Sequence, residues 1–508
     1  MATGLVLLLH SHMPYVRRNV AWPVGEQWLL ESWAESYLPL WEIIEDLAAG
    51  ALPGRLALTV TPVLAEQLQD EYLQERFEAY LENRIRQAGE EVVRLRDMGD
   101  EPRSRLAAFF KDECARRLRI FEERFRGRMM EVLEEGMTAG AVEVLASAAT
   151  HAHLPSLGCD RFRQAQIEIG LESYRRCFGR EAEGFWLPEC SYTPDLDAVL
   201  AAYSPPLRYV VLDHTAVESA PEDGPTWEAR RLGYTPLLVV LRDRTAHELV
   251  WTPRGYPSHD DYREYVKRDH EGHGFQYWRI TSRDMPLDEK DVYYPEHAAE
   301  LAKEDALDFS SRIAAREKEI LSATGEERDG GIILAAYDTE LFGHWWREGP
   351  LWLREVLGLA GAKTVLPARA LERAAADPST LTPRMTAWNV DGTFSTWVNA
   401  KTENTWEKTR GVEEALLHGL ERHRGDPEED RALLQAAREV LLMEASDWTY
   451  MITRDAAADY ARQRFESHRA RFCAIMDMLA CGKIDAGTLA DLEETDNLFG
   501  WLDLSYWK

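Results

Sequence analysis

Two acidic stretches contain residues of the types and in the surroundings that chemistry requires. In Gly184-Phe185-Trp186-Leu187-Pro188-Glu189-Cys190-Ser191-Tyr192, a carboxylate follows a short apolar run. Pro188 cannot donate a ladder hydrogen bond, so it marks the end of a strand and leaves Glu189 on the rim of a sheet. In Ala336-Tyr337-Asp338-Thr339-Glu340-Leu341-Phe342-Gly343-His344-Trp345-Trp346, Asp338 follows another apolar run in the same way. Two carboxylates on neighbouring strand ends can flank a glycosidic bond, one attacking C1 while the other protonates the leaving oxygen. Direct attack requires them to lie about 5–5.5 Å apart. The acid must keep its proton near neutral pH, helped by apolar surroundings and by its partner's negative charge. Tyr337, Phe342, Trp345 and Trp346 are the side chains expected to supply those surroundings. Glu340, two residues past Asp338, is a rival acid.

Two histidine pairs, His10/His12 and His151/His153, share i,i+2 spacing. In extended chain both members of such a pair point to one face. Three uses stay open: metal ligation with Asp213 and Asp338 completing the set, hydrogen bonding to sugar hydroxyls or carboxylates, or structural packing. The sequence has no dedicated ligand triad, and no metal is assigned. Seventeen tryptophans are also present. Most belong in a core, but their flat faces stack on sugar rings, and those flanking the polar motifs are candidate platforms.

The elements that must position these residues follow a repeating pattern. Apolar runs Gly4–Leu9, Leu56–Val60, Val142–Ala146, Tyr209–Leu212 and Gly331–Ala336 each lead into a polar cluster. Helical patterns lie between them, which predicts a parallel α/β sheet. Functional residues at the carboxyl end of one strand after another are what a β/α barrel produces. An open doubly wound sheet is the alternative, but no GxGxxG or phosphate-binding loop follows the first strand. A charged stretch rich in Glu, Arg, Leu and Ala, from Leu64 to Gly136, predicts a helical insertion. The irregular region Val217–Thr235 predicts a surface loop or lid, and Ala374–Pro383 a boundary. Beyond it, Val412–His423, Asp430–Met443 and Ala456–Leu479 have helical periodicity, and the apolar tail around Trp501 and Trp507 should dock on the body. The expected organisation is a barrel over residues 1–63 and 137–380, an insertion over 64–136, and a helix-rich C-terminal domain over 381–508.

Composition narrows the partners. The chain has 508 residues and a formal net charge of −29, which disfavours nucleic acid and anionic membrane surfaces and is indifferent to a neutral ligand. No run is long enough to span a membrane. Gly4–Leu9 lacks a basic lead and reads as a buried strand rather than an export signal. The six cysteines are scattered without CxxC spacing, so neither a zinc site nor a disulfide framework is expected, and a cytoplasmic location fits.

His10-Ser11-His12-Met13-Pro14-Tyr15, Trp186–Tyr192 and Tyr337–Trp346 together resemble three signature regions of glycoside hydrolase family 57, and within it the α-1,4-glucan branching enzymes. Phe394–Thr402 and Leu441–Trp448 resemble the same subgroup, and the similarity runs from about residue 4 to 480. The resemblance implies an incomplete (β/α)7 barrel, a helical insertion after the second strand, and a C-terminal helical domain closing over the cleft. It implies Glu189 as nucleophile and Asp338 as general acid/base in a retaining reaction without cofactor. It also implies that Arg263, Trp278, Trp397 and Asp447 line the glucan site, with Trp28, Trp406 and His10 nearby; His12 and His151 join them as candidates. The substrate would be an α-1,4-glucan such as amylose or a glycogen precursor. In that subgroup a longer loop with a tyrosine near its tip covers the cleft. Here the corresponding segment, His214–Thr235, is shorter and offers Trp227 and Tyr234, which predicts more hydrolysis relative to transfer. The alternatives are an α-amylase or 4-α-glucanotransferase of the same family, a metal-dependent carbohydrate deacetylase, and a non-catalytic glucan-binding protein.

Overall fold

The computed structural model describes residues 3–19, 24–218, 224–324, 331–359, 364–372, 378–389, 391–422 and 425–507. Nine strands form one sheet: β1 (Gly4–Ser11), β2 (Leu56–Val60), β3 (Val142–Ser147), β4 (Gly184–Trp186), β5 (Tyr209–Leu212), β6 (Arg230–Leu232), β7 (Leu238–Leu241), β8 (Ile332–Asp338) and β9 (Thr380–Leu381). Their order is β8-β1-β2-β3-β4-β5-β7-β6-β9. Seven of them, from β8 round to β7, run parallel. β1 is buried along its whole length, as a strand covered on both faces must be.

The seven parallel strands curl into a barrel that does not fully close. Just past β7, Arg242 bridges Leu334 of β8, and the Asp243 amide donates to the Leu334 carbonyl. A continuous ladder is prevented because β6 folds back antiparallel on the free edge of β7. That edge strand lies inside the region expected to be a loop or lid. Arg230-Arg231-Leu232 has little strand character of its own, and pairing with β7 and β9 makes it one. Residues 219–223 of the expected lid lie outside the described residues, as do 374–377 of the expected boundary stretch.

The charged stretch after β2 is helical, as its composition predicts. Its two long helices, Glu71–Asp97 and Glu101–Ile120, start on Asp70 and Asp100, whose side chains accept from the amides of Leu73 and Arg103. Each buries one apolar stripe: Leu73, Phe77, Leu81 and Ala88 on the first, Leu106, Phe110 and Cys114 on the second. Their many Glu and Arg side chains fill the other faces.

Beyond residue 400 the described chain is mainly helical, with helices Glu403–Arg422, Pro427–Met443, Ser446–Arg454, Ala458–Cys481 and Ala486–Thr495. The first starts well before Val412, where the apolar period becomes visible, because Trp406 and Thr409 are buried in turns that otherwise read as polar. His423 lies outside the described residues. Trp507 is buried, and Trp501 donates to Glu66 on the body. Among the described residues no helix is long and apolar enough to cross a membrane.

The turn between the second and third of these helices docks on the loop after β3. Ala445 bridges Ala152, the Ser446 amide donates to the His151 carbonyl, and Thr150 donates to the Leu441 carbonyl. Glu444 is fully buried there and accepts from Gln166. Burial and the neighbouring charge of Glu413 hold its carboxyl well above the usual range, and burial also raises Glu413. Oε1 of each has no other donor among the described residues, so a proton shared between the two hydrogen-bonded carboxyls satisfies both. The folded protein therefore binds more protons here than the unfolded chain. Stability from this pair is present at mildly acidic pH and is lost as pH rises through the raised values. Glu444→Gln should flatten that decline, measured as thermal midpoints from pH 5 to pH 8; an unchanged slope would remove the pair from the account.

Candidate active site

Register aligns the first layer of the site. His10 on β1 sits opposite Asp338 on β8 and opposite Thr59 on β2. The HxH spacing then puts His10 and His12 on the same face, as expected for extended chain. His10 Nδ1 bonds Thr59 Oγ1 at 2.5 Å, and His12 Nδ1 bonds Thr61 Oγ1 at 2.9 Å. His151, from the loop after β3, completes a cluster in which its Nε2 lies 3.0 Å from His10 Nε2.

The three rings differ in how readily they take up a proton. Burial, and then the neighbouring histidines, push His10 and His151 well below the ordinary imidazole range, so both are neutral and one donates to the other. Burial opposes a charge on His12 as well, but the adjacent Asp447 carboxylate outweighs it and raises this ring. His12 Nε2 is 2.9 Å from Asp447 Oδ2. Among the described residues, His12, His151 and Asp447 each present a donor atom within 4.8 Å of the others, enough to hold a small cation. The same side chains are engaged in the His12–Asp447 and His151–Ser446 hydrogen bonds. Asp213, considered above as a further ligand, is instead paired with Arg242 at 2.7 Å and with His214.

Glu189 reaches this cluster from the next side of the barrel. β4 stops at Trp186, as Pro188 predicts, and the chain turns so sharply that Glu189 and Cys190 have φ of 60° and 47°. Left-handed backbone at a non-glycine residue costs about 1–2 kcal/mol, and here neighbouring contacts hold it. The Trp388 amide donates to the Glu189 carbonyl, and the Cys190 amide to the Leu187 carbonyl. The side chain then receives two donors: Ser446 Oγ at 2.8 Å on Oε1 and Trp388 Nε1 at 2.9 Å on Oε2. Trp186 stacks on His10, and Trp388 meets Trp186 edge to face. Burial raises the Glu189 carboxyl, while the Trp388 and Ser446 donors pull it back. Ser446→Ala should therefore move the acidic limb of the pH–rate profile upward and lower turnover roughly tenfold to a hundredfold. An unshifted limb would show that this bond does not set the ionisation of Glu189.

Asp338, the last residue of β8, contrasts with Glu189. Its carboxyl makes no hydrogen bond to the described residues, and burial raises it well above the ordinary range. The charges of Glu340 and Glu189 add to that rise, and Arg242 only partly opposes it. Glu340 is committed elsewhere: the Tyr37 hydroxyl and the His12 amide both donate to its Oε1. It anchors the loop after β8 to β1 and to the turn Trp33–Tyr37.

The aromatic residues expected around Asp338 are mostly elsewhere. Strand alternation turns Tyr337 to the opposite face, where its hydroxyl donates to the Ala246 carbonyl. Phe342 and Trp346 pack with Trp352 in the shell outside the barrel, and Trp345 is partly exposed against Tyr265. Besides Glu340 and Glu189, the group that acts on Asp338 is Arg242, which lies over the Trp388 ring at 5.0 Å; the charges of Glu189 and Asp338 in turn raise the Tyr450 hydroxyl.

The remaining candidates divide. Trp397 is buried and stacks on His153 at 5.4 Å, with Trp406 Nε1 donating to its carbonyl, so both belong to the wall beside the His151 loop. Arg263 is buried on the insertion side, 3.3 Å from Glu35 and bonded to the His344 carbonyl. Trp278 bridges Val292 and carries Lys267 over its ring at 4.1 Å, near Arg103. Trp28 is partly buried on the helix Glu26–Ser32. No hydrogen bond, ion pair or ring contact among the described residues joins Arg263, Trp278 or Trp28 directly to Glu189 or Asp338. Trp227 and Tyr234 lie at the other end of the barrel. The Trp227 carbonyl caps the start of β8, and fully exposed Tyr234 occupies the turn that feeds the start of β7.

Trp388, Ser446 and Arg242 were not singled out as site residues from the sequence. Ser446 sits inside the Leu441–Trp448 motif, which was a usable signal. Trp388 and Arg242 stand in unremarkable surroundings in the chain.

The chain is similar to known proteins along nearly its whole length. Residues 6–382 match the profile of Glycosyl hydrolase family 57, and residues 409–507 match that of the 1,4-α-glucan branching enzyme C-terminal region. A 1,4-α-glucan branching enzyme of Thermococcus kodakarensis is 34% identical, over 97% of this chain and 77% of its own. A probable 1,4-α-glucan branching enzyme of Mycobacterium tuberculosis is 32% identical, over 98% and 96%. Among solved structures, a branching enzyme of this type from Pyrococcus horikoshii superposes with a TM-score of 0.91 at 33% identity, covering 100% of this chain and 97% of that one. The α-amylase AmyC of Thermotoga maritima gives 0.87 at 27% identity, covering 100% and 99%. With a profile match over most of its length and relatives above 30% identity across nearly all of it, the chain belongs to glycosyl hydrolase family 57.

Proposed function

We propose that the protein is a 1,4-α-glucan branching enzyme that works by retaining double displacement, with Glu189 as nucleophile and Asp338 as general acid/base. The observation that carries the assignment is the unequal treatment of the two carboxyls. Glu189 receives two hydrogen-bond donors that favour its anion, whereas Asp338 receives none from the described residues and is pushed up by burial and by nearby negative charge. A pair whose environments drive ionisation apart divides into anion and acid. Glu340, already bonded to Tyr37 and His12, is less free to transfer a proton.

In the first step a Glu189 oxygen forms a bond to C1 of the glucan. The α-1,4 bond breaks, and its departing oxygen takes the Asp338 proton. In the second, Asp338, now a carboxylate, accepts the proton of an acceptor's 6-hydroxyl as that oxygen attacks C1. The ester to Glu189 breaks and an α-1,6 branch results. Neutral His10 and His151, the His12–Asp447 pair and the wall of Trp397 and Trp406 would bind the sugar beside the ester. Amylose and glycogen precursors are the proposed substrates, with a cytoplasmic location.

A second reading, mainly hydrolytic, is favoured by one observation: Trp227 and Tyr234 lie at the opposite end of the barrel from Asp338, so neither screens the ester from water. Incubation with amylose, then enzymatic debranching and chain-length analysis, tests both. New α-1,6 linkages without a matching rise in reducing ends support branching. Reducing ends alone would replace it with the hydrolytic reading.

A further inference from the structure

Away from Glu189, the insertion helices, the turn Trp33–Tyr37 and the segment from Arg263 to Gln276 enclose a recess of about 520 Å3, counted to its open mouth. Five guanidiniums line it: Arg84, Arg117, Arg263, Arg268 and Arg347. They outnumber the carboxylates there. Glu113 is shared by Arg117, at 3.1 Å, and Arg347. Glu35 faces Arg263 at 3.3 Å, and Glu31 faces Arg268 at 3.2 Å. Among the described residues Arg84 pairs with no carboxylate; it donates to Gln87 and to the His273 carbonyl and lies over the Phe275 ring.

Five positive groups against three negative leave two charges in excess, inside a protein whose formal net charge is −29. Nε of Arg117 and Nε of Arg263 have no acceptor among the described residues, although both side chains are more than nine-tenths buried. Buried cations with open donors call for a compact anion with several acceptor oxygens. A neutral glucan would satisfy the donors but leave the charge uncompensated.

We propose that this recess binds a phosphate-bearing anion, either inorganic phosphate or the phosphate group of a phosphorylated sugar. Arginine forks match the tetrahedral oxygens, and the aromatic rings of Tyr80, Phe110 and Phe275 could flank a sugar attached to them. The site adjoins the loop that follows Asp338, because Glu35 bonds the His344 ring and Ser36 accepts from the His344 amide.

Calorimetric titration of the full chain at low salt tests the proposal, using inorganic phosphate, glucose 6-phosphate and neutral maltose as probes. An Arg84→Gln/Arg268→Gln double variant alters the mouth of the recess and leaves the buried pairs in place. One phosphate-bearing ligand should bind per chain, weakened by salt and by roughly tenfold or more in the double variant. Turnover of amylose without added anion should be unchanged, which shows that the variant folds. Equal affinity for phosphate and glucose 6-phosphate assigns the free ion; a clear preference for the second assigns the sugar ester. Absence of binding by either anion, or binding indifferent to the substitutions, overturns the proposal. So does maltose binding that the substitutions weaken equally, since the recess would then be part of a glucan cleft. The readout is binding, so it stands apart from whether the protein branches or hydrolyses.

Discussion

Replacing Glu189 with Gln should lower turnover of amylose by about 10⁴-fold or more, the scale seen when a covalent nucleophile is removed. The amide occupies the same space and can still accept from Ser446 or Trp388, but it cannot form the ester. The two donors that stabilise the carboxylate anion would then face a neutral group, so the loss should appear in turnover rather than in folding. Thermal denaturation should show a midpoint at or above that of the parent, because burial disfavours the charge being removed. Initial rates with amylose, read beside that midpoint, check both halves. Branching at more than a few per cent of the parent rate in a folded variant would take the nucleophile's role from Glu189.

Asp338→Asn should separate the two chemical steps. With amylose the departing group is a sugar hydroxyl that needs a proton, and loss of the acid should slow the reaction by about 10²–10⁴-fold. With an aryl maltoside the leaving group needs little protonation. The ester to Glu189 should then form and accumulate, because Asn cannot accept the proton of the incoming hydroxyl. The expected observation is a burst of released phenol and one glucan adduct per chain by intact-mass measurement. Equal slowing of both substrates, without an adduct, would point to a structural role. As the proposed acid, Asp338 would work protonated in the parent, and burial, Glu340 and Glu189 raise it above the ordinary carboxylate range. Activity should therefore fall as pH rises through that raised value, and Asp338→Asn should remove this basic limb. The acidic limb is expected from Glu189, the proposed nucleophile, which must be ionised to attack, so there activity should fall as pH falls.

Much of the site was legible locally. Pro188 after Trp186 ends a strand wherever it occurs, and the period of two along β1 puts His10 and His12 on one face without reference to the rest of the fold. The same period, applied to β8, already separates Tyr337 from Asp338. The aromatic neighbours in sequence were therefore poor guides to the surroundings of the acid. The helical character of the insertion was likewise readable, because its Glu, Arg, Leu and Ala residues favour helix whatever packs around them. The start of the helix at Glu403 was not, since Trp406 and Thr409 are buried by tertiary packing rather than by a visible period.

By itself the sequence determined which groups could react and which strand ends would carry them: Glu189 just past β4, Asp338 at the end of β8, and the histidines around the ends of β1 and β3. Only the tertiary structure decided how those groups are charged and what touches them. Ser446 lies 257 residues from Glu189, and Trp388 lies 199; no local pattern ties such pairs together. The structure also decided that Glu340 is an anchor and that Trp227 and Tyr234 lie far from the acid. Hydrogen-bond donation and desolvation depend on every element that converges on a point, whereas periodicity describes one element at a time. Residue type can therefore nominate a carboxylate, but burial and long-range partners separate the anion from the acid.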